Sequence, residues 1–275
     1  MPDVTIVVAT RDRAAELRRS LARHTAPVIV VDNASEDDTA EVAEEAGARL
    51  VRLPRNHGAA ARNVGVRMAT TRYVAFADDD SWWAPGALER AVAVMDAHPR
   101  TALVAARVLV GERQRLEPVS ELMARSPLGR PDDLPGRAIL GFLACSALVR
   151  RDAFLAAGGF SETLHFAGEE ELLALDLAAA GWGLAYLPEL VVHHHPSPHR
   201  PDSRLRRRRE ARNRLLTAWL RRPLPVFVRA ALTSLASRDG RGGLADAARA
   251  WPQVADARRP VPPEVERARA GLDAY

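Results

Sequence analysis

The sequence predicts an α/β protein on a doubly wound, mostly parallel sheet with flanking helices and a helical C-terminal extension. Three observations carry this. Over the first 110 residues, short β-branched runs alternate with amphipathic helical stretches. The strand-like runs are continuously apolar rather than alternating, as a sheet covered on both faces requires. The connections are short, and repeated β-α-β units with right-handed crossovers build an open sheet.

The elements follow in order. Strands are expected over 4–9, 28–31, 49–53, 73–77 and 102–108, with helices near 13–23, 37–46, 59–69 and 85–97. Ligands in such sheets bind beyond the carboxyl ends of the strands. The clusters "TRDR", "DNASEDD" and "DDD" follow the first, second and fourth strands, so all three fall on one edge. Residues 111–137 are rich in Pro, Gly and charge and read as a mobile excursion rather than a packed element. Order returns with "ACSALVRRDAFLAAGGF", a strand, a short helix and a Gly-Gly turn. "GEEELLALDLAAAGW" is a helix opened by acids and closed by Gly181, and a strand follows through "LAYLPELVVHHH". Beyond Pro196 the chain turns basic and helical over 204–221. Leu224, Phe227/Val228, Ala231/Leu232 and Leu235 then recur at helical spacing. The last 35 or so residues suggest a helix or two and a loose tail. The organisation expected is a nucleotide half over 1–110, an acceptor half over 111–200, and the extension over 201–275.

Composition narrows the function classes. The chain has 275 residues, 47% hydrophobic and 27% charged, as in soluble globular proteins. No apolar run approaches the ~20 residues that span a bilayer, and the N-terminus has no signal-peptide pattern, so a cytoplasmic protein is expected. The single cysteine, Cys145, excludes an internal disulfide. All 39 basic residues are arginine. The net charge is +4, but residues 200–222 alone carry +8, leaving −4 for the remainder. A whole-protein nucleic-acid binder spreads its charge differently, so no nucleic-acid partner is expected. Neither a P-loop nor a GxGxxG fingerprint is present, which removes the support for ATP hydrolysis and NAD chemistry.

Three constellations carry chemistry. Asp78, Asp79 and Asp80 end a strand, and oxygen ligands there suit Mg²⁺ or Mn²⁺ bound with substrate phosphates. The competing structural role is a helix cap from Asp80 or Ser81, with Pro85 in the first turn. Asp32, last in its strand, can accept hydrogen bonds from a nucleobase or ribose. The same stretch also reads as a cap built from Ser35 and Asp38 for a helix starting near Glu36. Glu169, Glu170 and Glu171 are acids favoured at a helix start, and His193–His195 include candidate metal ligands. Strand alternation points His194 opposite to His193 and His195.

The order of these motifs resembles the family 2 glycosyltransferases of the GT-A fold over residues 3–220. The carriers are "VVATRDR", "VVDNASEDDT", "NHGAAARNVG", "FADDD", "GGFSE", "GEEELLALDLAAAGW", "YLPELVVHHHPS" and "RNRL" at 212–215. The resemblance implies inverting, single-sugar transfer from a nucleoside-diphosphate donor, UDP- or dTDP-linked, to a hydroxyl of a glycan or lipid-linked acceptor. It places Thr10, Arg11 and Asp12 in the nucleotide loop, Asp32 at the base, and Arg62 and Asn63 at the donor. It puts Asp78 and Asp79 on the nucleotide sugar, and Asp80 on a Mg²⁺ or Mn²⁺ ion with Asp78 and His194. Glu170 stands where the family has an aspartate base, and its flanking carboxylates are expected to raise its pKa. Three positions depart from the pattern: Arg11 replaces a common aromatic, Glu170 is one methylene longer than the usual base, and Asp38 stands where glycine is frequent. The motif of processive relatives is absent.

The rival enzyme is a sugar nucleotidyltransferase, but "TRDRAAEL" lacks the glycine its loop needs. The rival outside enzymology is a basic nucleic-acid- or membrane-binding protein acting through 200–222. The basic segment, Trp219 and the apolar stripe beyond it predict docking on an anionic membrane surface at the inner face. Packing on the domain, or a homodimer interface, is the alternative for that stripe.

Overall fold

Strand β1 (Val4–Thr10) is buried along almost its whole length, and alternation sends Ile6 and Val8 to one face of the sheet and Val7 to the other. The structure is a computed structural model that describes residues 3–197 and 203–273. After β1 come α1 (Ala14–Leu21), β2 (Val28–Asp32), α2 (Thr39–Glu45) and β3 (Arg49–Arg52). A 3₁₀ turn at Gly58–Ala60 leads into α3 (Ala61–Met68), followed by β4 (Tyr73–Ala77), β5 (Ser81–Trp83), α4 (Ala87–Ala97) and β6 (Thr101–Val110). Then come β7 (Arg115–Leu116), α5 (Pro118–Ala124), β8 (Arg137–Ala138), β9 (Ala147–Arg150), α6 (Arg151–Ala156), α7 (Glu169–Ala179) and β10 (Gly183–His194). Four helices close the chain: α8 (Ser203–Arg221), α9 (Leu224–Ser234), α10 (Arg238–Ala250) and α11 (Pro263–Asp273).

The strands form one mixed sheet in the order β3-β2-β1-β4-β9-β6-β10-β5. The parallel half, β3 to β4, follows the sequence expectation. The other half is more antiparallel than the pattern suggests. Strand β9 inserts antiparallel between β4 and β6, and β5 pairs antiparallel with β10. The strand at β9 is expected from the sequence but not its place between β4 and β6, and β5, three residues long, is too short for a periodic signal. One face is packed by Val7, Phe76, Leu103, Val149, Phe154, Phe160 and Leu173, the other by Ile6, Val8, Leu88, Met95, Leu148 and Leu190.

Three local expectations are corrected. Residues 111–137 are not a bare excursion: Glu117 caps α5 by accepting from the Val119 and Ser120 N–H groups, and Met123 packs into the core. Neither Asp80 nor Ser81 caps α4, because β5 intervenes and left-handed Gly86 holds the N-cap position. Ser35 does not cap α2, which starts at Thr39; its hydroxyl accepts from the Asp12 N–H instead.

The C-terminal helices pack on the sheet domain. Leu215, Leu216 and Leu220 of α8 join Leu164, Leu172, Ala247, Ala250 and Val254 in a further core cluster. The expected loose tail is ordered by ion pairs. Buried Arg222 is gripped by Glu266 at 2.7 Å and Asp273 at 2.9 Å, and Arg269 by Glu171 at 2.7 Å. Trp219, an expected membrane anchor, faces inward: its indole N–H donates to the Val254 carbonyl, and its ring lies 4.2 Å from that of Trp251. The expected boundary at residues 200/201 lies outside the described residues.

Removing one partner of a buried ion pair strands the other charges. Arg222→Ala should cost about 3 kcal/mol and lower the thermal midpoint by roughly 6–12 °C. An unchanged midpoint in calorimetry would show that the extension does not brace the domain.

Candidate active site

Three consecutive carboxylates need partners, and the fold gives each a different one. Asp78 pairs with Arg62 of α3 at 2.5 Å. Asp79 accepts from the Thr10 hydroxyl at the end of β1, 2.8 Å away. Asp80 faces the Nε2 of His194 at 3.2 Å. That last contact follows from pairing, because His194 lies opposite Ser81 in the β5–β10 ladder. His193 and His195 project to the other side and pack on Trp82, with ring centroids 5.7 and 4.8 Å away. Strand alternation therefore separates His194 from its neighbours as the sequence implied.

The electrostatics follow from crowding. Burial, then the adjacent Asp80 and Asp78, push the Asp79 carboxyl up to about 7, against the Thr10 hydrogen bond. Arg62 is buried, which works against its charge, yet Asp78, Glu169 and Glu170 hold its pKa above the ordinary value. That single guanidinium joins the strand-end aspartates to the acids that open α7.

Those acids divide by burial and partner. Glu169 is buried, its Oε2 has no hydrogen-bond partner, and desolvation followed by Glu170 raises it from 4.5 to about 8. Glu170 is half-buried and also raised, with burial as the leading cause. The expected upward direction holds, with burial as its main cause and the flanking carboxylates not among the causes. Glu171 is committed to Arg269.

The loop before α7 is held open by unusual backbone. His165 and Ala167 have φ of 62° and 71°, in the left-handed region. The strain is offset by Asn213 of α8, whose Nδ2 donates to the carbonyls of Leu164, Phe166 and Ala167 at 2.7–2.9 Å. The sequence contained the clue in "RNRL", without revealing that this asparagine sets the loop. Gly58 is needed on the other side, since a Cβ there would fall on the His165 carbonyl.

The remaining sequence candidates are placed as follows. Asp12 (φ 53°) accepts from the Glu36 N–H at 2.8 Å and latches the loop after β2, while Arg11 is exposed beside it at 3.2 Å. Asp32 is fully buried at the end of β2. One of its oxygens accepts from the Ser35 N–H, and the other has no hydrogen-bond partner, with the Arg52 Nε at 3.4 Å. Asn63 spends both ends of its amide on Phe160, donating to its carbonyl and accepting from its N–H. Gly159 allows that approach, because a Cβ there would lie 2.5 Å from the Asn63 Oδ1. Asn63 is thus a clamp between α3 and the Gly-Gly turn.

A carboxylate facing an imidazole fits the oxygen and nitrogen chemistry of a divalent cation such as Mn²⁺. Asp80 and His194 are the residues here that would hold it. Asp78 is already committed to Arg62.

The family model described as "Glycosyl transferase family 2" matches residues 5–156. Among curated relatives, the pre-mycofactocin glycosyltransferase of Mycobacterium tuberculosis is 34% identical over 205 residues, which are 70% of this chain and 43% of that protein. The succinoglycan biosynthesis protein ExoO of Rhizobium meliloti is 36% identical over 107 residues, 35% of this chain and 31% of that one. The chain thus matches less than half the length of these relatives. Among solved structures, mannosyltransferase PcManGT from Pyrobaculum calidifontis, in complex with GDP-Man and Mn²⁺, superposes with a TM-score of 0.62 at 22% identity. That match covers 100% of this chain and 81% of the other. S. aureus TarS 1-349 in complex with UDP-GlcNAc gives 0.60 at 20% identity, covering 99% and 89%. These likenesses show the GT-A fold.

Glu169 generates a pH dependence. The unfolded carboxyl ionises near 4.5, whereas the folded one holds its proton to about 8. Its contribution is therefore full below the lower value and is lost as pH rises towards the upper one. Denaturant midpoints should fall from about pH 5 to about pH 8, and fall less in Glu169→Gln. Identical slopes for the two proteins would contradict the assigned burial.

Proposed function

The chain belongs to glycosyl transferase family 2, and we propose that it moves one sugar, with inversion, from a nucleoside-diphosphate donor to an acceptor hydroxyl. The observation that carries this reading is Arg62. Its ion pair with Asp78 and its position in the field of Glu169 and Glu170 bring donor-side aspartates and a candidate base into one site. Family membership decides against the sugar nucleotidyltransferase alternative.

In this reading Asp32 accepts from the nucleobase through the oxygen that faces Arg52 and has no hydrogen bond, and Thr10, Arg11 and Asp12 shape the loop around the nucleotide. Arg62 orients Asp78 toward the ribose, Asp79 is steadied by Thr10, and Asn63 positions α3 through Phe160. A Mg²⁺ or Mn²⁺ ion held by Asp80 and His194, with Asp78 at its side, would act as a Lewis acid on the charge of the departing diphosphate. Glu170 accepts the acceptor's hydroxyl proton as the new C1–O bond forms and the C1–O bond to phosphate breaks. One in-line displacement inverts the anomeric centre. Burial raises the pKa of Glu170, which makes it a stronger base than an ordinary carboxylate. Solved structures of the same fold, titled as complexes with GDP-Man and UDP-GlcNAc, support testing GDP beside UDP and dTDP. A glycan or lipid-linked acceptor in envelope synthesis fits the basic extension.

Hydrolysis of the donor by water reads the chemistry without a known acceptor. Proton NMR of the first product should show the anomer opposite to the donor's. Glu170→Gln should slow nucleoside-diphosphate release by ~10²–10⁴-fold with donor Kd unchanged. Near-normal turnover in Glu170→Gln, with loss in Glu169→Gln, would move the base by one residue.

A further inference from the structure

Helix α9 is apolar on two faces, and its own domain covers only one. Phe227, Ala230 and Ala231 pack on the cluster formed with α8 and α10. Leu224, Val228, Leu232 and Leu235, spaced by four, four and three residues, line the other face with 52, 50, 62 and 48% exposure. This is the predicted stripe, split in two by the fold.

The charges around that face are mainly basic, and the two acids of the adjoining cavity, Glu171 and Asp273, are held by Arg269 and Arg222. Beside it, Arg229 and Thr233 line a cavity of about 260 Å³ with Arg214, Arg222 and Arg269. Arg222 and Arg269 are paired with acids, whereas Arg214 and Arg229 have no carboxylate partner among the described residues. At the far end of the helix, Arg241 donates to the Leu235 carbonyl, and Arg238 and Arg241 are exposed. The acid nearest that end, Asp239, is satisfied by Arg204 and Arg207. An apolar strip about 16 Å long, bordered by unpaired arginines, matches an anionic lipid surface. A protein face complementary to it would have to be both greasy and acidic.

We propose that the exposed face of α9 docks the protein on an anionic phospholipid bilayer, with Arg214 and Arg229 receiving lipid phosphates at its flank. The helix lies in the interface plane, its four aliphatic side chains among the acyl chains and its arginines at headgroup level. Trp219 takes no part, since it is spent inside the extension. The inference rests on this surface and not on the transfer reaction, so vesicle binding is read without turnover.

The full chain is tested by flotation with phosphatidylcholine vesicles and with mixed phosphatidylcholine–phosphatidylglycerol vesicles. Binding is expected to the mixed vesicles alone, weakening as salt rises. Val228→Asp with Leu232→Asp should abolish it. Arg214→Gln with Arg229→Gln should weaken it about 25-fold, fivefold per arginine. Leu224→Ser with Leu235→Ser serves as a second apolar variant, and an unchanged thermal midpoint confirms folding in each. No binding at low salt would overturn the proposal, as would binding that survives both apolar variants. A dimer by light scattering that Leu232→Asp dissociates, without vesicle binding, would assign the face to a second copy and also overturn it.

Discussion

Three consecutive carboxylates at the end of β4 have to coexist, and the arrangement around them follows from how that repulsion is relieved. Arg62 neutralises Asp78, the Thr10 hydroxyl shares a hydrogen bond with Asp79, and His194 meets Asp80. Each partner comes from a different element, α3, β1 and β10, so the triplet ties the edge of the sheet together. Arg62 is buried and lies in the field of the α7 acids as well, which makes it the electrostatic hinge of the site.

The second constraint is the strained loop that delivers Glu170. Left-handed His165 and Ala167 are tolerated because the Asn213 amide shares its two N–H groups among three carbonyls of that loop. Asn213 sits on α8, so the C-terminal extension shapes the loop that leads into α7. Ion pairs from Arg221 to Asp176, and from Arg269 to Glu171, fix the same helix from its far side. The extension braces α7 on one surface and presents the open face of α9 on another.

Much of this was legible in the sequence. The β1–β4 half could be read because β1, β2 and β4 are near-continuous apolar runs, each followed by a polar cluster on one edge. The pairing of His194 with Asp80 was half legible: alternation set His194 apart from its neighbours and the family resemblance singled it out, but only the short β5 ladder brings it to the aspartate. What escaped was non-local. The insertion of β9, the spending of Asn63 on Phe160, and the inward turn of Trp219 all depend on partners 32 or more residues away. The upward shift of the Glu170 pKa was legible but its main cause was not, because burial is set by tertiary packing while flanking acids are visible in the string.

The central claim is the proposed division of labour in which Arg62 engages Asp78, Thr10 engages Asp79, and the facing pair Asp80 and His194 would hold a cation. Electron paramagnetic resonance of Mn²⁺ titrated into the protein with excess UDP or GDP tests it most directly. Asp80→Asn should weaken Mn²⁺ binding by roughly tenfold or more, with Asp79→Asn close to the parent protein. Undiminished binding in Asp80→Asn, with loss in Asp79→Asn, would contradict the account.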